Sequence, residues 1–327
     1  MAMGTVAVSG AAGFVGRHIV AALLDAGYSV RALVRDAERA REVLPTDGRL
    51  TLVVGDVLEN GKAQELIGGC AACVNAVGIL RAEGKSTFKG AHIDAVRTLT
   101  KACEEKGVSR FVQISSLGVS ELGKAEYQTS KAEGERIVRG SSLAWTILRP
   151  SLIHGAESDF IGMLAGLATG HEAPYFFMPY FTRWQTDKRI PMGGELAIDP
   201  VVEPVHVDDV AAAVVASLAK AASIGEVYHL TGAERLSWPQ LLEVVRDQTG
   251  GNHGIKPWGV PGPVAAVVAS AAGMVGLGKF LPFDRGMALM GTQDNVSEKV
   301  KVQKHLGMQC RGFTATFAGY AGELAGH

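Results

Sequence analysis

Short apolar segments alternate with amphipathic ones along the first half of the chain. The apolar segments are hydrophobic on both faces, which is typical of parallel strands covered by helices on either side. Strands are predicted at Thr5–Ser9, Ser29–Val34, Leu50–Gly55, Ala72–Ala76, Arg110–Ser115 and Leu143–Leu148, and helices at Val15–Ala26, Phe88–Lys106 and Glu126–Arg139. This alternation predicts an α/β fold built on a doubly wound parallel sheet of Rossmann type.

The alternation breaks after Pro150, where an aromatic-rich segment follows at Pro174–Pro191. It returns with a strand at Pro204–Val207, a helix at Asp208–Lys220 and a strand at Glu226–Leu230, and from Ser237 the pattern is mainly helical. We therefore predict two domains. A dinucleotide-binding domain would comprise residues 1–155 and 198–232, and a smaller, mainly helical substrate or partner domain residues 156–197 and 233–327.

A glycine-rich turn joins the first predicted strand to the first predicted helix. Its glycines are Gly10, Gly13 and Gly16, and Phe14 and Val15 lie between the last two. Such glycines allow a tight turn and let backbone N–H groups approach a pyrophosphate at the helix N-terminus. The strand before the turn and the helix after it make dinucleotide binding the favoured interpretation.

The end of the second strand bears on the choice of dinucleotide. An acidic side chain at this position would bind the ribose 2′-hydroxyl of NAD, whereas an arginine accommodates the 2′-phosphate of NADP. Arg35 is the first polar residue after the apolar run, and Asp36 should lie beyond the strand tip. Arg17 offers a second positive charge. We therefore expect NADP (NADPH) rather than NAD, although both arginines have an alternative role as solvated surface residues.

Further cofactor contacts are expected where the next strands end, because ligands bind at the carboxyl ends of parallel strands. Asp56 and Val57 follow the third strand and would flank the adenine. Ala76 and Gly78 follow the fourth strand, where small residues let the backbone lie against the cofactor.

The catalytic candidates begin the helix after the fifth strand. Tyr127 and Lys131 are four residues apart, so their side chains share one helix face. A nearby cation favours the phenolate of a tyrosine and would suit it to proton transfer. Ser115 and Ser116 end the fifth strand, where a hydroxyl can hold a substrate carbonyl or alcohol.

These motifs together resemble the extended and atypical short-chain dehydrogenase/reductases, including epimerase- and dehydratase-like members. Trp145–Gly155, with its RPxxxxG pattern, and the segment Pro204–Ala211 strengthen the likeness. Within that group the chain is most similar to the branch of the Rossmann-type accessory subunit of respiratory complex I. The resemblance spans nearly the whole chain and is strongest over residues 4–155 and 200–232.

The resemblance implies roles for several residues. Tyr127 would be the acid/base, Lys131 would hold the nicotinamide ribose and lower the tyrosine pKa, and Ser116 would bond the reacting oxygen. Pro150 would pack near the nicotinamide. The catalytic asparagine that the family has in the helix before the fifth strand is replaced here, and His92 lies near that place. His92 either takes over the role of the asparagine in the proton relay or merely caps and packs there.

The composition and net charge argue against nucleic acid as a partner. Hydrophobic residues make up 47% and charged residues 20%, and the net charge of -1 provides no field that would attract nucleic acid.

Cys70 and Cys73 form a CxxC, but Cys73 leads into an apolar run and is interpreted as a buried strand residue. Met1–Ser9 has no basic region, so no signal peptide is expected, and the few cysteines fit a reducing cytoplasm.

One apolar helix bears on which partners the protein binds and on whether it attaches to a membrane. Val264–Leu277 is almost wholly apolar and too short to span a bilayer. It is either a buried or dimer-packing helix, or a membrane-surface element giving access to an apolar, quinone-like substrate. Localisation is expected to be cytoplasmic, with attachment to the inner face of the membrane as the alternative.

The leading hypothesis is an NAD(P)-dependent oxidoreductase or epimerase/dehydratase-like enzyme acting on a small molecule. The alternative is a non-catalytic NADPH-binding accessory or assembly protein of a respiratory or quinone-related complex. A redox-sensing regulator is a third, less favoured hypothesis because it would not need Tyr127 and Lys131. No metal site is expected.

Overall fold

The structure is a computed structural model that describes residues 3–186, 195–274, 281 and 283–324. The strands of the described residues are β1 (Thr5–Ser9), β2 (Ser29–Val34), β3 (Leu50–Val54), β4 (Ala72–Asn75), β5 (Arg110–Ile114), β6 (Ala144–Pro150), β7 (Ile153–His154), β8 (Phe177–Thr186), β9 (Glu195–Ile198), β10 (Val201–Val202), β11 (Val205–His206), β12 (Glu226–Leu230), β13 (Leu236–Ser237) and β14 (Lys256–Pro261).

The α-helices are shorter on average in the second half of the chain. They are α1 (Phe14–Asp25), α2 (Ala37–Val43), α3 (Lys62–Ile67), α4 (Ala95–Lys106), α5 (Glu126–Gly140), α6 (Asp159–Thr169), α7 (Val207–Ala219), α8 (Trp238–Gln248), α9 (Gly262–Met274), α10 (Arg285–Met290), α11 (Phe313–Ala318) and α12 (Ala321–Leu324). A π-helical turn at Gly90–Asp94 runs directly into α4.

A seven-stranded sheet organises the molecule, with strand order β12-β6-β5-β4-β1-β2-β3. All neighbouring strands in it are parallel. The chain proceeds outward from β1 to β2 and β3 on one side and returns through β4, β5 and β6 on the other. This reversal opens a crevice at the carboxyl ends of β1 and β4, where ligands bind in such sheets. The predicted Rossmann-type α/β fold is confirmed.

Two hydrophobic clusters cover the two faces of this sheet. On one face α1 and α7 pack together, and residues such as Ile19 and Val214 are fully buried against Val8 of β1. On the other face α3 and α4 bury Leu66 and Leu99. Because both faces are covered, the strands are largely apolar on both faces, which explains why the sequence pattern located them well.

The remaining described elements form further small sheets and a third cluster. Strand β8 pairs in parallel with β14 and antiparallel with β9. The described part of the chain after Ser237 is mainly helical as predicted, but it also contains the strand Lys256–Pro261, which the sequence pattern did not indicate. That strand contains two prolines and a glycine, which suppress a strand signal in the sequence, and its partner β8 is distant in sequence. The boundaries of the two-domain division remain a prediction.

Helix α9 contains most of the apolar segment predicted at Val264–Leu277, of which residues 275–277 lie outside the described residues. Ala265, Ala266 and Ala269 are buried, whereas the larger side chains Val264, Val267, Val268 and Met274 are exposed. The helix is therefore packed along one side only. Over the described ranges, no helix combines the length and hydropathy needed to cross a bilayer.

Candidate active site

The glycine turn lies at the carboxyl end of β1, against the segment that follows β4. Gly10 has a φ of 71°, and a β-carbon there would lie 2.8 Å from the carbonyl carbon of Ala76. A β-carbon at Gly16 would overlap the carbonyl oxygen of Gly10. Both positions therefore require glycine, one for its backbone conformation and both for the close approach of chain segments.

The N-terminus of α1 is open to an anion. The backbone N–H of Gly13 bonds the carbonyl of Gly10 at 3.1 Å, which closes the turn. Gly13 is the N-cap, no side chain caps the helix, and its first turn contains no acidic residue. The amides of Phe14 and Val15 thus begin the helix without a side-chain acceptor. These features fit the pyrophosphate of a dinucleotide, whose negative charge is favoured at this helix end.

The tip of β2 separates the roles of two neighbouring charged residues. The Asp36 carboxylate accepts hydrogen bonds from the backbone N–H groups of Glu38 and Arg39, at 3.0 and 3.2 Å, and so caps α2. Arg35 is exposed at the carboxyl end of β2. One oxygen of the Asp36 carboxylate is thus engaged at the start of α2, and the side chains of both Arg35 and Asp36 are exposed to solvent. Arg17, the other candidate for a 2′-phosphate contact, has its Nη1 atom 3.9 Å from Glu157 Oε1 and so has a carboxylate close by.

The other predicted cofactor residues occupy the same sheet edge. Asp56 follows β3 and bonds the backbone N–H of Leu58 at 2.9 Å, and Val57 is buried. At the end of β4, the Asn75 side-chain oxygen accepts from Ser9 Oγ at 2.8 Å and from the N–H of Val77 at 3.1 Å.

The two hydrogen bonds that Asn75 Oδ1 accepts hold the backbone in place just before Gly78. Ala76 is half-buried and Gly78 is exposed. Pro150, buried at the end of β6, accepts the N–H of Leu117 at 2.8 Å through its carbonyl. Residues Ala76, Gly78 and Pro150 therefore all lie at carboxyl ends of central strands, as predicted from the sequence.

Tyr127 and Lys131 lie on α5 beside this edge. Lys131 is buried, its Nζ donates to the carbonyl of Ile114 at 3.3 Å, and it lies 5.9 Å from the centre of the Tyr127 ring. A β-carbon at Gly78 would stand 3.1 Å from this ammonium nitrogen. The structure thus brings the predicted catalytic pair and the glycine after β4 together.

The two serines at the end of β5 have different environments. Ser115 is buried and its Oγ donates to Glu135 at 2.6 Å. Ser116 is half-buried, its Oγ donates to the carbonyl of Leu117 at 3.2 Å, and its hydroxyl lowers the pKa of the Tyr127 phenol. Ser115, by contrast, supports the ion-pair network of Glu135.

The ionisation of the pair is set mainly by burial. Burial raises the pKa of Tyr127, and the hydrogen bond with Ser116 offsets part of that rise. The direction is opposite to the lowering expected from the sequence. Burial lowers the pKa of Lys131 to about 8, while the Glu135 carboxylate raises it. At neutral pH the pair therefore consists of a neutral phenol and a protonated ammonium.

His92 is buried and packs edge-on against the Tyr127 ring, with the two ring centres 5.4 Å apart. Burial, followed by the charge of Lys131, lowers the pKa of His92 to about 3, so the imidazole is neutral. Its Nε2 accepts the N–H of Ile79 at 3.2 Å and its Nδ1 lies 2.9 Å from Ser130 Oγ. The ring thus bonds to backbone and serine on either side.

Several residues near the site were not identified in the sequence. The Glu135 carboxylate accepts from Arg149 at 2.7 and 2.6 Å, and Arg81 donates to the carbonyl of Leu281 at 3.4 Å. Gln128 Nε2 donates to Gln293 Oε1 at 3.0 Å. Arg81 and Gln293 carry no local motif, and only the fold places Gln293 beside Gln128 in the first turn of α5.

Comparison with known proteins agrees with this geometry. Residues 10–163 match the NAD(P)H-binding family model. The chain is 30% identical to ceramide reductase of Caulobacter vibrioides over 218 residues, covering 66% of this chain and 61% of that protein. It is 28% identical to subunit 9 of the NADH dehydrogenase [ubiquinone] 1 alpha subcomplex of Mus musculus over 281 residues, covering 84% of this chain and 68% of that one.

The fold also matches solved structures over nearly its full length. UDP-glucuronic acid 4-epimerase from Bacillus cereus, in complex with UDP-glucuronic acid and NAD, superposes with a TM-score of 0.70 at 17% identity, covering 98% of this chain and 99% of that one. The matched region spans about three fifths of the length of the first curated relatives.

Fold, glycine turn and relatives together point to one class of dinucleotide-binding fold. Residues 10–163 match the NAD(P)H-binding family model, and the architecture resembles that of the short-chain dehydrogenase/reductases and the NAD-dependent epimerases. The predicted resemblance to the extended and atypical members, with relatives among the complex I accessory subunits, is confirmed.

Proposed function

We propose that this protein is an NADP-dependent oxidoreductase that reduces a carbonyl of a small, apolar substrate, with Tyr127 as the proton donor. The observation that carries the proposal is the contact of Tyr127, Lys131 and Gly78 at the edge where the glycine turn opens. A bound nicotinamide supplies or accepts the hydride at the substrate carbon. Proton transfer and orientation are then the tasks of the chain's own side chains.

Ser116, Tyr127 and Lys131 each perform a different part of the reaction. Ser116 donates a hydrogen bond to the substrate carbonyl oxygen, and Tyr127 transfers its phenolic proton to that oxygen as the carbonyl becomes an alcohol. Lys131 remains protonated, hydrogen-bonds the nicotinamide ribose and stabilises the phenolate left behind. Burial raises the pKa of Tyr127, so the phenol carries at neutral pH the proton that this step transfers.

The substitution Tyr127→Phe tests the catalytic assignment. NADPH oxidation with a panel of ketones and quinones should fall at least about 100-fold, as expected when a general acid is lost. NADPH affinity, measured by fluorescence titration, should stay within several-fold of the wild type. Tyr28→Phe, at a half-buried tyrosine of the α1 side of the sheet, is the matched control. Unchanged turnover in Tyr127→Phe contradicts the assignment.

The preference for NADP is supported by the tip of β2. Both backbone bonds that cap α2 go to one oxygen of the Asp36 carboxylate, Oδ1, and the Arg35 side chain is exposed at the end of the strand. An arginine at this strand end offers a charge-assisted hydrogen bond to a 2′-phosphate. Calorimetric titration of NADPH and NADH against the purified protein measures the preference directly.

A second candidate function is a non-catalytic, NADPH-binding accessory protein of a membrane complex. Two observations favour it: the complex I subunit of Mus musculus matches over 84% of this chain, and α9 exposes Val264, Val267, Val268 and Met274. An exposed apolar helix face is suited to a membrane surface or a partner protein. Cell fractionation distinguishes the candidates, because this one requires the protein to sediment with membranes and to bind NADPH without turnover.

A further inference from the structure

His92 connects the segment after β4 to the helix that bears the catalytic pair. The Ile79 backbone N–H can only donate, so His92 Nε2, 3.2 Å away, is the acceptor and has no proton. The imidazole proton is then on Nδ1 and is donated to Ser130 Oγ at 2.9 Å. Ser130 Oγ in turn donates to the carbonyl oxygen of Tyr127 at 3.1 Å. A continuous series of hydrogen bonds thus joins Ile79 to the first turn of α5.

The helix itself lies directly on the turn that contains His92. A β-carbon at Gly134 would overlap the His92 carbonyl oxygen, so α5 cannot approach this turn with any larger residue. The His92 side chain is 2% exposed and both of its ring nitrogens have partners. It therefore has no free nitrogen with which to pass a proton to the Tyr127 hydroxyl.

We infer that His92 is a positioning residue that fixes the Gly78–Ile79 backbone relative to Lys131 and Tyr127, and so shapes the nicotinamide end of the dinucleotide site. The identity of the ligand rests on the proposed function, whereas the backbone restraint does not. Gly78 is the point where the restraint acts, because a β-carbon there would be 3.1 Å from Lys131 Nζ and 3.8 Å from His92 Nε2. Small movements of this backbone would therefore change the space beside the ammonium.

Four substitutions separate the hydrogen bonds from the packing. In His92→Gln, the side-chain oxygen can take the place of Nε2 and accept from Ile79. In His92→Asn, the shorter amide can reach only Ser130. His92→Phe keeps a ring against Tyr127 and Phe88 but removes both hydrogen bonds, which leaves the Ile79 amide without its acceptor. Ser130→Ala removes only the second bond.

Binding of NADPH and of 2′-phospho-ADP-ribose, which lacks nicotinamide, gives the first test. We expect the NADPH Kd to rise about tenfold in His92→Phe and His92→Asn, since a buried amide loses its partner, and to stay within about threefold in His92→Gln. Affinity for 2′-phospho-ADP-ribose should be unchanged in all of them. Wild-type NADPH affinity in His92→Phe, or an equal loss for both ligands, would overturn the inference.

Hydrogen–deuterium exchange without any ligand gives the second test and does not depend on the proposed function. In the full-length protein, peptides covering residues 76–81 should exchange faster in His92→Phe than in the wild type, and His92→Gln should restore slow exchange. Equal exchange in the wild type and His92→Phe would overturn the inference. If exchange changes as expected but no dinucleotide binds to the wild type, the proposed function fails while the backbone restraint stands.

Discussion

A β-carbon at Gly78 would lie 3.1 Å from Lys131 Nζ, which places the backbone after β4 in contact with the ammonium of the predicted catalytic pair. Gly78→Ala should therefore displace Lys131 while leaving the fold intact, because position 78 is exposed. We expect kcat to fall, but by less than the roughly 100-fold that a misplacement of about 1 Å costs, because the ammonium has to move by only a few tenths of an ångström. Steady-state kinetics with NADPH measures it.

The matched control for this prediction is Gly162→Ala in α6, where an added β-carbon meets no atom within 4 Å. That substitution should leave kcat unchanged and increase the unfolding free energy by up to about 1 kcal/mol, since alanine is the better helix former. A kcat for Gly78→Ala equal to that of the control would show that Lys131 is not held against this backbone.

Arg35 should decide between the two dinucleotides. In Arg35→Gln, the Kd for NADPH should rise about 10- to 100-fold, because a hydrogen bond to a charged phosphate contributes roughly 1.5–3 kcal/mol. The Kd for NADH should change little. Calorimetry with both cofactors measures the difference, and Arg41→Gln on α2, where Arg41 pairs with Glu38 at the surface, serves as the control. Equal effects of Arg35→Gln on both cofactors contradict the assignment.

Turnover should depend on the protonation of Lys131. Burial lowers the pKa of Lys131 to about 8, so its ammonium is present below that pH and is lost as pH rises through it. We expect the pH profile of kcat/KM to decline on the alkaline side near pH 8. Glu135→Gln should move that decline to lower pH, because the Glu135 carboxylate raises the pKa of Lys131.

Glu135→Gln should also reduce stability, because the buried carboxylate pairs with Arg149 and Arg139. Removing one partner of a buried ion pair costs about 3–5 kcal/mol, and the partly exposed arginines reduce this to the lower end. Urea denaturation measures the loss. An alkaline limb that stays in place in a folded Glu135→Gln protein would mean that another group titrates there.

Stability should change with pH through His18. Burial alone would lower the pKa of His18, but hydrogen bonds to Asp208 at 2.6 Å and Glu157 at 3.2 Å raise it overall above 6.5. A raised folded-state pKa means that the native protein binds more protons than the unfolded chain just above pH 6.5. The stabilisation is therefore complete below pH 6.5 and is lost as pH rises through the folded-state pKa.

The control for this prediction is His18→Gln, which cannot take up the proton. Thermal unfolding from pH 6 to 8 should show a decline in the wild type that is weaker in His18→Gln. His18 joins α1 to the N-terminal turn of α7. We therefore expect the loss of the His18 proton to weaken the packing of these two helices. Identical pH dependence in both proteins would contradict the role of His18.

The strands of the central sheet were predictable because their signal is local. β1, β2 and β12 have the predicted bounds, and β3 to β6 differ by one or two residues at their ends. Short helices such as α2 and α3 were not identified, since their six or seven residues provide too little periodicity. Strand β14 was missed because its pairing with β8, rather than its own composition, makes it a strand.

The sequence by itself determined the fold, the glycine turn and the candidates Tyr127 and Lys131, because strand periodicity, glycine spacing and helix spacing are properties of neighbouring residues. Only the tertiary structure decided that Ser115 bonds Glu135, that the Asp36 carboxylate caps α2, and that His92 bonds Ile79 and Ser130. Those outcomes depend on burial and on contacts between segments far apart in the chain. The direction of the Tyr127 pKa is one of them, because burial raises it although the local pattern, with a cation four residues away, predicts a lowering.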